Sequence, residues 1–180
     1  MNKNLIHIYP TYVEKIFVKG DPKNHFLAEN DTLNLLKNKF INNPFINHHP
    51  FPTIISSNKE NLSMKMTFCG LDLGTYRRTR RKYRKQKRKT NFEPINEEYL
   101  IDTINCIVNN LKNLFIAYHD IHARNFCINS NGQLHLIDFE TAIRKPEDYK
   151  KRKPGQAAYC LERIEKYKDE FKELICNYIT

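Results

Sequence analysis

An acid, an amide and a second acid punctuate one stretch of the chain, Tyr118–Ala142, which reads YHDIHARNFCINSNGQLHLIDFETA. Asp120 comes first and Asn125 follows five residues later. Two short apolar runs, Phe126–Ile128 and Leu134–Ile137, are separated by Asn131-Gly132, and the second ends in Asp138. Asn-Gly between apolar runs signals a tight hairpin, because both central residues of its turn need positive φ. A two-residue loop at Asn131-Gly132 sets a register: Ser130 opposite Gln133, Ile128 opposite His135, Phe126 opposite Ile137 and Asn125 opposite Asp138. Opposed residues share a face of the ribbon, so an amide oxygen and a carboxylate are expected side by side at its open end. Two hard oxygen ligands suit Mg²⁺, which keeps several waters and takes further ligands from a phosphate. Asp120, on the segment leading in, is placed to act on a nucleophile arriving at that phosphate.

Tyr118-His119-Asp120, Asn125 and Asp138-Phe139-Glu140 resemble, in order and spacing, the H-R-D-x-x-x-x-N, hairpin, D-F-G succession of the protein-kinase superfamily. The resemblance implies a catalytic role for Asp120, which would orient or deprotonate an acceptor hydroxyl. It implies metal ligation by Asn125 and Asp138, with ATP and Mg²⁺ as substrate and cofactor. It also implies an α+β, two-lobed fold: a reduced N-lobe sheet with one helix, and a minimal helical C-lobe. On that division residues 1–73 form the N-lobe and hinge, 74–93 a basic insert, and 94–180 the C-lobe with the catalytic loop.

The elements that must position these groups follow along the chain. Leu5–Tyr9 and Tyr12–Val18 read as strands around Pro10. Tyr12–Phe17 resembles the V-A-I-K strand of kinases, which makes Lys15 the candidate phosphate-holding lysine, with Lys19 as its competitor. A helix is predicted over about Lys23–Asn38, with Phe26, Leu33 and Leu36 as its apolar stripe. Glu29 falls on that stripe, and an inward acid needs a partner; in kinases the corresponding glutamate pairs the strand lysine. Asn42–Pro52 reads as a loop, and its His48-His49 has no spaced third metal ligand. Thr53–Ser56 and Leu62–Phe68 read as paired strands, the second running into Cys69-Gly70-Leu71-Asp72-Leu73. That segment looks like a kinase hinge, whose backbone at Thr67, Phe68 and Cys69 would meet an adenine edge, with Met66 at the back of the pocket; the bland reading is an edge strand ending in a turn. A long helix is predicted over Glu97–Phe115, opened by Pro94 and Asn96 and fraying through Asn109–Asn113. A last amphipathic helix over Gln156–Tyr178 carries Leu161, Ile164, Phe171, Leu174 and Ile175, and is expected to pack under the long helix.

The net charge of +10 has one source, the run RRTRRKYRKQKRK at Arg77–Lys89. Its bases are Arg77, Arg78, Arg80, Arg81, Lys82, Arg84, Lys85, Lys87, Arg88 and Lys89; outside it, bases and acids balance. Self-repulsion makes an isolated continuous helix doubtful there. A nuclear localisation signal, a contact to nucleic-acid phosphates and a solvated insert all remain open. At the rim of the expected cleft the run could also recruit an acidic substrate. Five scattered cysteines, none in C-x-x-C, read as reduced thiols, mostly buried, of an intracellular protein, with neither disulfides nor a zinc site. No signal peptide or membrane span is expected.

The chain departs from the family in several places. No glycine precedes Lys15, so the Gly-rich loop over the phosphates is absent. D-F-G is Asp138-Phe139-Glu140, as in choline and aminoglycoside kinases. Tyr118 and His119 replace the His-Arg of H-R-D. Asp120-Ile121-His122 resembles lipopolysaccharide and other small-molecule kinases, Ala123-Arg124-Asn125 resembles tyrosine kinases, and the short C-lobe is similar to the small kinase of the KEOPS complex. His122 reads as a prop for the loop or as a second proton acceptor. The expectation is an atypical kinase acting on a protein hydroxyl. The alternative is an inactive kinase-like binding module, associated with nucleic acid through Arg77–Lys89.

Overall fold

The structure, a computed structural model, describes residues 4–86, 95–118, 120–142 and 166–177. It is mixed α+β. A four-stranded antiparallel sheet is built from β1 (Leu5–Ile8), β2 (Tyr12–Ile16), β3 (Ile54–Asn58) and β4 (Ser63–Thr67), in the order β1-β2-β4-β3. A second sheet has β5 (Leu71–Asp72), β6 (Phe126–Ile128) and β7 (Leu134–Leu136) in that order. Helices α1 (Pro22–Lys39), α2 (Leu73–Lys85), α3 (Glu97–Asn113) and α4 (166–177) complete the described chain.

In β2 and β4 the alternation sets the inner face: Val13 pairs with Met66 and Lys15 with Met64, and Lys15, Met64 and Met66 are buried. Helix α1 starts where Asp21 accepts a hydrogen bond from the Asn24 amide, with Pro22 in the first turn. Its stripe Phe26, Leu33 and Leu36 is fully buried, Phe26 meeting Phe17 edge-on with ring centres 5.5 Å apart. Glu29, riding that stripe, is carried inside with it. Helix α3 is capped by Asn96, which accepts from the Tyr99 amide, with Glu97 and Glu98 in the favourable first turn. Its end does not fray at Asn109–Asn113: Asn110 is buried, and its amide group donates to Ile41 O and accepts from Ile41 N (2.8 Å). Helix formation there is secured by a tertiary tether rather than by propensity.

The described part of the basic run takes its helix from tertiary contacts. The segment Leu73–Lys85 is helical, because Asp72 caps the helix by accepting from the Thr75 amide and buried Leu73 and Tyr76 anchor it. The Arg80 guanidinium lies over the Tyr76 ring at 5.6 Å. Lys87, Arg88, Lys89 and Pro94 lie outside the described residues, as do Leu161, Ile164, Cys160 and His119. Of the other cysteines, Cys69, Cys106 and Cys127 are buried and Cys176 is exposed.

The hairpin register also differs from expectation. Phe126 pairs with Leu136, Cys127 with His135 and Ile128 with Leu134. The loop has three residues, Ser130–Gly132. The Gly132 amide donates to Asn129 O, and Gly132 alone of the pair takes positive φ (73°). The cause is Asn129, whose side-chain oxygen accepts from the amides of Asn131 and Gln133, both at 3.0 Å. This Asx arrangement outcompetes the two-residue turn. Moving the partner by one residue puts Asn125 opposite Ile137, whose amide donates to Asn125 O at 2.9 Å, and Asp138 one step beyond.

One core runs through both sheets. Phe139 is its node, fully buried with its ring 5.3 Å from Tyr118 and 6.0 Å from Phe51. The chain just before β5 passes close to β6 at Gly70. Its φ is +99°, and a Cβ there would lie 2.1 Å from Ile128 O. Gly70→Ala should therefore cost about 3 kcal/mol, because β6 must move away from the residue 70 backbone. Chemical denaturation of the variant measures this, and a loss below about 1 kcal/mol would contradict the close approach.

Candidate functional site

Between the first sheet, the segment linking β4 to β5 and the hairpin lies a cavity of about 260 Å³. Apolar walls come from Ile6, Ile8, Val13, Met66 and Cys127; Lys15, Glu29 and Asp138 sit at its polar end. Thr67, Phe68 and Cys69 form its edge. Strand β1 leaves Ile6 57% and Ile8 67% exposed although both line the cleft, so the cavity presents apolar surface that no described residue covers.

The polar end is a tight charge cluster. The Lys15 ammonium donates to Glu29 Oε2 at 2.6 Å and to Asp138 Oδ1 at 2.7 Å, and lies 3.2 Å from Glu140 Oε2. Strand β2 supplies the cation, α1 the buried carboxylate and the segment after β7 the other two. Burial by itself would discharge Lys15. The carboxylates, Glu29 foremost, outweigh it and hold the ammonium well above the ordinary lysine value. Burial pushes the Glu29 carboxyl upward, and Lys15 pulls it back. Glu29 also accepts from the Phe139 amide at 3.4 Å, which ties α1 to the turn carrying Asp138. Asp138 has φ of 64°, a left-handed conformation that an aspartate tolerates better than most residues but that still costs energy. Its direction toward Lys15 depends on that turn.

The second cluster stands on the loop before β6. Asp120 Oδ2 accepts from Asn125 Nδ2 at 3.0 Å, and Asn125 Nδ2 also donates to Asp120 O at 2.9 Å. His122 lies on the other side, with Nε2 3.3 Å from Asp120 Oδ1. Because His122 Nδ1 accepts from the Arg124 amide, the proton of the neutral ring is on Nε2 and faces Asp120. That geometry matches a prop that orients the acid. Asp120 and Asn125 are thus brought to each other, and Lys15, Glu29 and Asp138 to each other. The backbone of Ile137 joins the two groups, its amide on Asn125 O and its carbonyl accepting from the Tyr118 hydroxyl at 2.8 Å.

Three participants carried no strong signal in the sequence. Glu140 closes the lysine cluster and accepts from Asn4 Nδ2 at 2.6 Å. Tyr118 is fully buried; burial, with the charge of Asp138 next, holds its phenol well above its ordinary pKa, so it remains a hydrogen-bond donor. Tyr167 of α4 fixes the loop entrance through its hydroxyl, which takes a bond from the Tyr118 amide at 2.6 Å and gives one to Tyr118 O. Tyr167 stacks on Phe171, which meets Phe126 edge-on, so α4 supports the loop before β6 directly. Its Tyr167–Phe171–Ile175 spacing was the available sign. His48 is a structural histidine, with its ring nitrogens on Tyr99 OH and Leu134 O.

Glu29, Asp138 and Glu140 offer carboxylate oxygens within 4.8 Å of one another, a hard donor set of the kind that suits Mg²⁺. No helix among the described residues is long and apolar enough to cross a membrane. No family model matches the chain, and comparison with curated proteins finds no relative.

Proposed function

We propose that the protein is an ATP- and Mg²⁺-dependent phosphotransferase of protein-kinase-like, two-lobed architecture, acting on a protein hydroxyl inside the cell. The observation that carries this reading is Lys15 held between Glu29 and Asp138, residues 14 and 123 positions away, at the polar end of an apolar cleft. The adenine would lie between Ile8, Val13 and Met66. Its edge would meet the backbone of residues 67–69, where Thr67 N–H already donates to Thr53 O and Phe68 N–H to Thr11 O, so donation to the base falls to Cys69.

Lys15 would hold phosphate oxygens, and Glu29 would keep Lys15 extended toward them. Asp138 and Asn125 would ligate Mg²⁺; when bound, the ion supplies charge neutralisation on the phosphates. Asp120, oriented by Asn125 and His122, would accept the proton of the acceptor hydroxyl. The acceptor oxygen then bonds to the γ-phosphorus, the bond to the bridging oxygen breaks, and ADP leaves with the electron pair.

One observation favours a second reading, a kinase-like binding module. The β1–β2 turn is Tyr9-Pro10-Thr11, with Tyr9 stacked on Tyr12 at 4.3 Å, where a phosphate cover would need glycines. Incubation with γ-labelled ATP and a cell extract separates the two. Label should move to protein only with Mg²⁺ and fall by at least about a hundredfold in Asp120→Asn. Absence of any transferred label or ADP would reject the transferase and leave the module.

A further inference from the structure

A second cavity, of about 530 Å³, adjoins the first: Asp72 and Arg124 line both. The rest of its lining is Gly74, Arg77 and Arg78 from the start of α2, and Ala123 from the turn before Asn125. Three arginines and one aspartate therefore line it, and that aspartate already accepts from the Thr75 amide as the α2 cap. Arg124 is four residues from Asp120 and immediately precedes Asn125, so the loop that carries the proposed acid also supplies part of the cavity's lining. Arg78 and Arg124 are exposed, and Arg78 is steered by a bond to Thr75 Oγ1 at 2.9 Å.

We propose that this cavity is the acceptor-side specificity site, and that it takes the carboxylate or phosphate of an acidic peptide whose hydroxyl is phosphorylated. The inference rests on the phosphotransferase reading above and names its substrate class. Guanidinium groups bind carboxylate and phosphate through forked, charge-assisted hydrogen bonds, and several converging on one hollow select an anion at a fixed place. A single-stranded nucleic acid would instead want aromatic surface for its bases, and none of the lining residues is aromatic. The rest of the basic run raises encounter rates without selecting a site.

The test is fluorescence anisotropy with full-length protein and labelled peptides of equal length at near-physiological salt. One carries a serine flanked by glutamates, one the same serine flanked by phosphoserines, one by glutamines; a short mixed-sequence RNA is the fourth probe. The acidic peptides should bind and the glutamine peptide should not, and the two anionic versions reveal whether carboxylate or phosphate is preferred. The double variant Arg78→Gln/Arg124→Gln should weaken acidic-peptide binding by at least about tenfold. The charge-matched control Arg81→Gln/Arg84→Gln, which changes exposed positions outside the cavity, should weaken it less than about threefold. Equal losses in both doubles, or RNA binding without acidic-peptide binding, would overturn the proposal. Tight acidic-peptide binding with no Mg-ATP-dependent label on the serine would uphold the anion site and reject the transferase. Label transferred equally to the glutamine peptide would do the reverse.

Discussion

Asp138→Asn should lower Mg²⁺-dependent ATP turnover by about a thousandfold and leave the fold in place. The substitution keeps size and shape but removes the negative charge that would hold the metal. Lys15 keeps Glu29 at 2.6 Å and Glu140 at 3.2 Å, so its ammonium is still paired. The Asp138 side chain is 31% exposed, which limits the stability lost to about 1 kcal/mol or less. Steady-state ADP release and a melting curve, read together, check both halves. Turnover retained at wild-type level would remove Asp138 from the metal site. A collapse in stability would make it a structural residue.

Lys15→Met should have the largest effect on stability, about 3–5 kcal/mol at neutral pH. It strips the only described cation from a cluster of three carboxylates, of which Glu29 is 1% exposed. Burial already pushes the Glu29 carboxyl above its ordinary value of 4.5, and in the variant the ammonium no longer pulls it back. The sign of the pH dependence follows. A carboxyl whose folded pKa is raised is favourable below its unfolded pKa and becomes a penalty as pH rises. The deficit relative to wild type should therefore be largest near pH 7 and shrink toward about pH 4.5 as Glu29 takes up a proton. The double variant Lys15→Met/Glu29→Leu should recover most of the loss, because an apolar pair replaces an uncompensated charge. Urea titrations at several pH values measure it; a pH-independent deficit, or no recovery in the double variant, would show that Glu29 does not depend on Lys15.

The Lys15–Glu29 contact was legible from a helical stripe that carries Glu29 and a strand whose resemblance to V-A-I-K nominates Lys15. A strand placed Lys15 on the same face as Met64 and Val13, and a helical stripe carried Glu29 inside with Phe26 and Leu33. Patterning showed only that Glu29 needed a partner; the resemblance to the kinase strand supplied Lys15 as that partner. The hairpin failed in register for a local reason. Asn131-Gly132 advertises a two-residue turn, yet Asn129 accepts two backbone amides and stabilises a longer loop. Side-chain competition for backbone donors is hard to weigh from composition. The helical state of Arg77–Lys85 was hidden because its propensity is opposed by charge; the cap at Asp72 and the anchors Leu73 and Tyr76 decide it through tertiary contacts. The ion pair of Glu140 with Lys15 was not legible, because it depends on the left-handed turn at Asp138, which redirects the chain toward Lys15. Tyr167 acts across a span of 49 residues, and no local pattern encodes that reach.

The central claim is that the cleft between Ile8, Met66 and Cys69 takes a nucleotide whose phosphates end at Lys15. A thermal titration with Mg-ATP tests it without requiring an acceptor. At a ligand concentration one hundred times Kd the folded state should gain about 2.7 kcal/mol, seen as a rise in Tm of several degrees that ATP without Mg²⁺ reproduces only weakly. Adenosine alone should give a smaller rise, and Lys15→Met should abolish the part that depends on the phosphates. A melting temperature unmoved by millimolar Mg-ATP would contradict the account at its root.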